Sequence, residues 1–155
     1  MKPARVFRAI GLFLLLAGPS LHAACTSATA AGTFGFTTTG TLILASGPVP
    51  VGAVGLITFQ LNGDVSGNQD RSVGGIFAHE TITGTLTVNR DCTISLLANV
   101  FDSSGNLVRT STIPGVLVDN GKHIRAIFET VTLPNGVNLP SVLTIEAERV
   151  QGHAE

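Results

Sequence analysis

Few residues of this sequence combine the chemistry and the spacing of a metal site. His79, Glu80 and His123 are the first candidates, but neighbouring residues on a strand point to opposite faces, so His79 and Glu80 do not form a site by themselves. A metal site would require the fold to bring His79 and His123 together with Glu129 or Glu146. No ligand spacing such as His-x-x-x-His occurs. Solvent-facing strand residues are the favoured interpretation, and neither a metal nor a cofactor is predicted.

Nucleophilic catalysis and sugar stacking have equally little support. The segment Gly63-Asp64-Val65-Ser66-Gly67 has neither the spacing nor the strand-turn-helix context of a nucleophile elbow. The chain has no Trp and no Tyr, so its phenylalanines are expected in the core rather than on a sugar-binding surface. No catalytic residue is therefore predicted.

Ionisable side chains inside a β-barrel are the remaining candidates for ligand contact. Arg109 has the strand parity of Leu107, which would direct it inward, where it would need a partner such as Glu129 or Glu146. The alternative is a charge at the edge of a strand. The candidate ligand-binding residues of the barrel interior are Arg109, Glu129, Glu146 and His123.

The two cysteines, Cys25 and Cys92, are expected to form a disulfide, because an even pair in an exported chain favours one. Such a bond would hold the N-terminal segment across one end of the barrel, near the turn at residues 89–91. A ligand would then enter from the other end. The competing interpretation is a lipoprotein anchored through Cys25, although His22 stands where a lipoprotein site normally has leucine.

The first 23 residues have the layout of a secretory signal peptide. A basic start precedes an apolar run at residues 10–17 and the break at Gly18-Pro19, and the run is too short to cross a membrane as a helix. We expect a signal peptide over residues 1–23 and one β-barrel domain over residues 24–155. The expected location is the periplasm or the outside of the cell. An uncleaved anchor is the alternative.

The charge of the remaining chain excludes one class of partner. Residues 24–155 carry six basic and ten acidic side chains, a net charge of −4, without a basic cluster. Nucleic-acid binding needs a concentrated basic face, so no nucleic-acid partner is expected. No apolar segment of this part is long enough for a transmembrane helix.

Residues 81–97 show the element that positions these side chains. Ile82, Leu86 and Val88 have one parity and four threonines the other. The alternation resumes at Cys92 after a polar triplet at residues 89–91. Strands place successive side chains on opposite faces, so the pattern predicts a β-hairpin with one apolar face.

Most of the chain after residue 31 repeats this pattern. Asn62-Gly63 and Asp119-Asn120-Gly121 indicate tight hairpin turns. Residues 45–52 contain two prolines and are predicted to form a loop. We therefore predict an all-β fold, an antiparallel meander of about eight strands closed into a small β-barrel. An open β-sandwich is the alternative.

Several strand and turn segments together resemble those of a group of small exported bacterial proteins of unassigned function. The segments are residues 32–36, 54–59, 63–67, 83–93 and 118–124. The resemblance implies a calycin-type barrel, broadly like those of allene oxide cyclase and dirigent proteins. It implies no catalytic residues, and a shared fold does not give function.

Two functional hypotheses follow. The first is an exported barrel that has a structural role or binds a small apolar ligand. An interior cavity of about 300 Å³ or more would support ligand binding, whereas a filled interior would leave only the structural role. The second is a cyclase- or isomerase-like enzyme acting inside the barrel. It requires at least one of the four ionisable candidates to face inward.

Overall fold

A computed structural model describes residues 24–150. The predicted signal peptide, residues 1–23, lies outside the described residues. One short helix precedes eight strands: α1 (Ser27–Ala30), β1 (Gly32–Leu44), β2 (Gly47–Phe59), β3 (Asp64–Val73), β4 (Ile76–Val88), β5 (Thr93–Phe101), β6 (Leu107–Val118), β7 (His123–Ile127) and β8 (Ser141–Arg149). Within residues 24–150, no helix has the length and apolarity needed to cross a membrane.

The eight strands form a closed antiparallel barrel in which each strand pairs with its sequence neighbours. β1 completes the ring by pairing with β8. The predicted fold class is confirmed, and the sandwich alternative is wrong. Closure removes the unpaired strand edges that an open sheet would expose. The side chains of one parity on every strand are therefore collected in one interior.

The hairpin predicted at residues 81–97 is formed by β4 and β5. Val88 lies opposite Ile94 across the sheet, and Thr85 opposite Leu97. Ile82 and Leu86 are buried inside the barrel, whereas the threonines between them are exposed outside. Alternation alone thus identified the inward face of this hairpin.

The prediction of a loop over residues 45–52 is wrong. Pro48 and Pro50 lie within β2, opposite Ile43 and Thr41 of β1. The carbonyl of Pro50 accepts a hydrogen bond from the Gly74 amide and therefore points away from β1. The nitrogen of Pro50 points to the same side as its carbonyl, and so does the nitrogen of Pro48, which has the same parity. β3 pairs with β2 only from Val51 onward, and neither proline therefore removes a ladder hydrogen bond.

The N-terminal segment closes one end of the barrel, which we call the closed end. Cys25 and Cys92 form the predicted disulfide, and the Cys25 amide donates to the Arg90 carbonyl. The Arg149 guanidinium donates to the carbonyls of Thr29, Ala31 and Gly121 and lies 4.7 Å from the centre of the Phe34 ring. This fixes α1 across the barrel.

The opposite end, which we call the open end, is formed by three hairpin turns and a longer loop. The turns lie at residues 45–46, 74–75 and 102–106, and the loop spans residues 128–140 between β7 and β8. Two bridges, Thr110 to Thr132 and Thr132 to Asn138, fold this loop toward β6. Its Val131 is buried, so part of the loop forms a wall of the interior.

Candidate functional site

A buried carboxylate lies inside the barrel and is surrounded by donors from two other strands. The Glu80 side chain is 1% exposed. Arg109 donates two hydrogen bonds to its two oxygens, at 2.9 and 2.8 Å. Gln69 donates a third at 2.7 Å, and the Nε of Arg71 donates a fourth. We refer to Gln69, Arg71, Glu80 and Arg109 as the Glu80 cluster.

Strand register brings these four residues together. Gln69 lies directly opposite Glu80 in the β3–β4 ladder, and Arg71 follows two residues later on the same face. The β4–β5 ladder ends at Thr81 opposite Phe101, just before Glu80. A bulge in the β5–β6 ladder leaves Val108 as an extra residue between Leu107 and Arg109. Arg109 has the parity of the buried Ser111 and Ile113, which directs it inward.

The electrostatics of the cluster keep Glu80 ionised. Burial alone would raise the pKa of Glu80, because it removes water from the charged form. The hydrogen bonds and the positive charge of Arg109, with the hydrogen bonds from Arg71 and Gln69, outweigh this and lower the pKa from 4.5 to about 2. Glu80 is therefore a permanent anion near neutral pH rather than a group ready to exchange a proton.

Stability is expected to fall in acid because of this carboxylate. A folded-state pKa below the unfolded value stabilises the fold above pH 4.5, and that stability is lost as the pH drops from 4.5 toward 2. The contribution is on the order of 3 kcal/mol. Urea unfolding at several pH values measures it. If the same pH dependence persists in Glu80→Gln, Glu80 is not its cause.

The barrel contains two neighbouring spaces of different size. The mouth cavity, at the open end, has a volume of about 180 Å³. Its walls are mostly apolar, and Gln69, Arg71 and Arg109 of the Glu80 cluster form its floor. The lining residues are Thr38, Leu42, Val51, Ala53, Gln69, Arg71, Val73, Val108, Arg109, Phe128, Val131, Leu133, Leu139 and Leu143. The inner cavity, toward the closed end, has about 50 Å³ and shares Thr38, Gln69 and Phe128.

Neither volume reaches the roughly 300 Å³ at which drug-sized sites begin. The half of the barrel toward the closed end is filled by side chains such as Phe36, Ile57 and Phe59, which line the inner cavity. The Ser111 hydroxyl also lines this space, is fully buried and has no hydrogen-bond partner within the described residues. Most of the free volume in the barrel lies at the mouth. This volume suits a molecule smaller than a typical drug.

The structure places one of the four candidate interior residues inside the barrel. Arg109 lines the mouth cavity, with 18% of its side chain exposed. Glu129 and Glu146 are exposed, and His123 is 42% exposed beside Asp119. The interior position expected for these three is therefore wrong. His123 and Glu146 have the parity opposite to a buried neighbour, and Glu129 lies at an exposed position of the loop between β7 and β8. Arg109 pairs with Glu80 rather than with either expected glutamate.

Sequence reasoning missed Glu80, Gln69 and Arg71 as interior residues. The signal was present, because Glu80 has the parity of the buried Ile82, and Gln69 has that of the buried Val65. Period-2 alternation assigns all of them to the inward face. Polarity alone made them appear to belong outside.

The residues weighed for a metal site are not brought together. His79 contacts Asp70 at 2.8 Å on the outer surface, whereas His123 lies near Asp119 and Glu148. Within residues 24–150, no group of three or more His, Cys, Asp or Glu side chains is arranged to hold a metal ion.

Comparison with known proteins gives likeness to solved structures. No protein family matches the sequence, and no curated protein does. A solved structure, a redesigned β-barrel named mFAP0 bound to DFHBI, matches with a TM-score of 0.46 and 18% identity. The match covers 78% of this chain and 99% of that chain. The function of this protein must therefore be argued from its own residues.

Proposed function

We propose that this protein is an exported single-domain β-barrel that binds a small apolar molecule in its mouth cavity. The observation that carries the proposal is the unequal filling of the barrel. One half is packed with side chains, whereas the other leaves about 180 Å³ between apolar walls and a polar floor. Apolar walls with a few fixed polar groups are the usual composition of a small-molecule site.

The arrangement of the polar floor also favours binding over catalysis. Glu80 has its oxygens occupied by four hydrogen bonds and a pKa of about 2. A general base works best with a pKa near the working pH. The cyclase- or isomerase-like alternative has an inward ionisable residue in Arg109, but it lacks a suitable proton acceptor among the residues described at this site.

Export is supported by two independent features. The N-terminal sequence has the layout of a signal peptide, and the Cys25–Cys92 disulfide is the kind of bond that persists in an oxidising compartment. The bond also uses the sulfur that a lipid anchor would modify. It therefore favours a periplasmic or secreted protein over a lipoprotein anchored through Cys25.

Filling the mouth cavity is expected to weaken binding. Ala53 lines this cavity, and its replacement by phenylalanine would occupy the space that a ligand needs. With hexan-1-ol as a neutral probe, we expect saturable shifts of backbone amide signals at the open end of the oxidised protein. We expect at least a tenfold weaker affinity in Ala53→Phe, a loss of about 1.4 kcal/mol. NMR titration suits the weak affinity of so small a probe.

The neighbouring residue supplies a matched control. Val54 is 59% exposed on the outer face of the same strand, so Val54→Phe adds the same ring without entering the barrel. Its hexan-1-ol affinity is expected to equal that of the original protein. The thermal midpoints of both variants establish that they are folded. Equal affinity in Ala53→Phe and Val54→Phe would refute binding in the mouth cavity.

A further inference from the structure

The Glu80 cluster has one more positive charge than negative charge. It contains the guanidinium groups of Arg71 and Arg109 and the single carboxylate of Glu80. Among the described residues that line the mouth and inner cavities, there is no other ionisable side chain. A net positive charge beside apolar walls is costly to hold, since little water is present to solvate it. A bound anion would offset that cost.

Arg71 is the residue that has capacity left for such an anion. Both terminal nitrogens of Arg109 donate hydrogen bonds to Glu80. Arg71 uses only its Nε, so within the described part of the chain its two terminal nitrogens have no hydrogen-bond partner. Its side chain is 25% exposed and lines the mouth cavity. A guanidinium with both terminal nitrogens available presents the fork that a carboxylate fits.

The cavity has its polar and apolar parts in a fixed order. Arg71 and Arg109 lie at the floor beside Thr38 and Gln69, and the walls above them are formed by Leu42, Val51 and other apolar side chains. A ligand with a charged head and an apolar tail would place the head on the floor and the tail along the walls. A neutral molecule would leave the excess charge unpaired.

We propose that the ligand is a small amphiphilic anion, a short apolar chain with one carboxylate that pairs with Arg71 at the floor of the mouth cavity. This proposal rests on the proposed function, because it names the chemical class that the same cavity would take. It adds a specificity-determining residue, Arg71. Arg71 would bind the carboxylate of the ligand, whereas Arg109 pairs with Glu80.

The decisive comparison is between hexanoate and hexanamide, which have the same chain and differ in charge. At pH 7 hexanoate is an anion, because ordinary carboxyl groups titrate near pH 4. We expect the oxidised protein to bind hexanoate about tenfold tighter than hexanamide, measured by NMR titration at constant chloride. In Arg71→Gln we expect this ratio to fall to near one, because hexanoate loses its charged partner whereas hexanamide had none. Arg71→Lys, which keeps the charge without the fork, should retain part of the preference.

The control is Arg125→Gln, which removes one positive charge from an exposed position on β7 and should leave the ratio unchanged. If hexanamide and hexan-1-ol bind at the open end but hexanoate binds no tighter, the anionic class is refuted and the apolar site stands. If hexanoate binds tighter but Arg71→Gln keeps the full ratio, Arg71 is not the residue that selects the anion, and its proposed role is refuted. If none of the three probes binds, the proposed function itself fails, and this inference fails with it.

Discussion

Replacing Glu80 by glutamine is expected to lower the free energy of unfolding by about 3–5 kcal/mol, the cost of removing one partner from a buried ion pair. The carboxylate accepts four hydrogen bonds from Gln69, Arg71 and Arg109. A glutamine side chain at this position presents an NH₂ group to donors and leaves two guanidinium groups without a counter-charge. Both arginines are partly exposed, at 25% and 18%, so the lower part of the range is expected.

Urea unfolding of the oxidised protein at pH 7 measures this effect. The control is Glu146→Gln, because Glu146 is exposed on β8 and takes part in no ion pair within residues 24–150. Surface changes of this kind usually stay within about 0.5 kcal/mol. A loss below 1 kcal/mol in Glu80→Gln would contradict the account of Glu80 as the charge that holds three strands together.

Removing the disulfide is the second large change, with an expected loss of roughly 4 kcal/mol in the double variant Cys25→Ser, Cys92→Ser. The bond joins residues 67 positions apart, and the loop between them contains β1 to β4. The unfolded chain gains the entropy of that loop when the bond is absent. The bond also holds α1 over the closed end, where the Cys25 amide meets the Arg90 carbonyl.

Urea unfolding of the double variant and of the reduced original protein should give the same loss. Cys92 has a positive φ of 68°, and serine meets the same backbone strain there, so the substitution adds no new conformational cost. Thiol labelling of the unreduced protein should find no free thiol. Two reactive thiols, or a difference in stability below 1 kcal/mol, would contradict the bond's structural role.

The alternation of side chains made the barrel predictable, because each strand of a closed sheet has one face in the core. In β4 the pattern is strong, with Ile82 and Leu86 against a row of threonines. Tight turns such as Asn62-Gly63 then fixed a neighbour-to-neighbour topology. The disulfide was predictable because the N-terminal sequence predicts export, and two cysteines allow only one intramolecular pair.

The site was less predictable, since it depends on register between strands. Glu80 belongs to the inward face, but its interior role becomes visible only when the β3–β4 pairing sets Gln69 opposite it. Arg109 was one candidate for the interior, from the parity of Leu107, but Leu107 is exposed. Its partner Glu80 could not be identified without the packing of β4 beside β6 inside the barrel. The prolines of β2 led to the wrong prediction of a loop for a related reason. Whether a proline removes a ladder hydrogen bond depends on the side to which its nitrogen points, which is set by the strand pairing and not by the sequence alone.

The central claim is that the mouth cavity binds a small molecule, and the affinity of hexan-1-ol for Ala53→Phe beside Val54→Phe tests it most directly. The two substitutions add the same ring one residue apart, inside and outside the barrel. The account predicts at least tenfold weaker binding for Ala53→Phe and unchanged binding for Val54→Phe, in folded proteins with the disulfide intact. Equal affinities in the two variants, or no binding by the original protein, would contradict it.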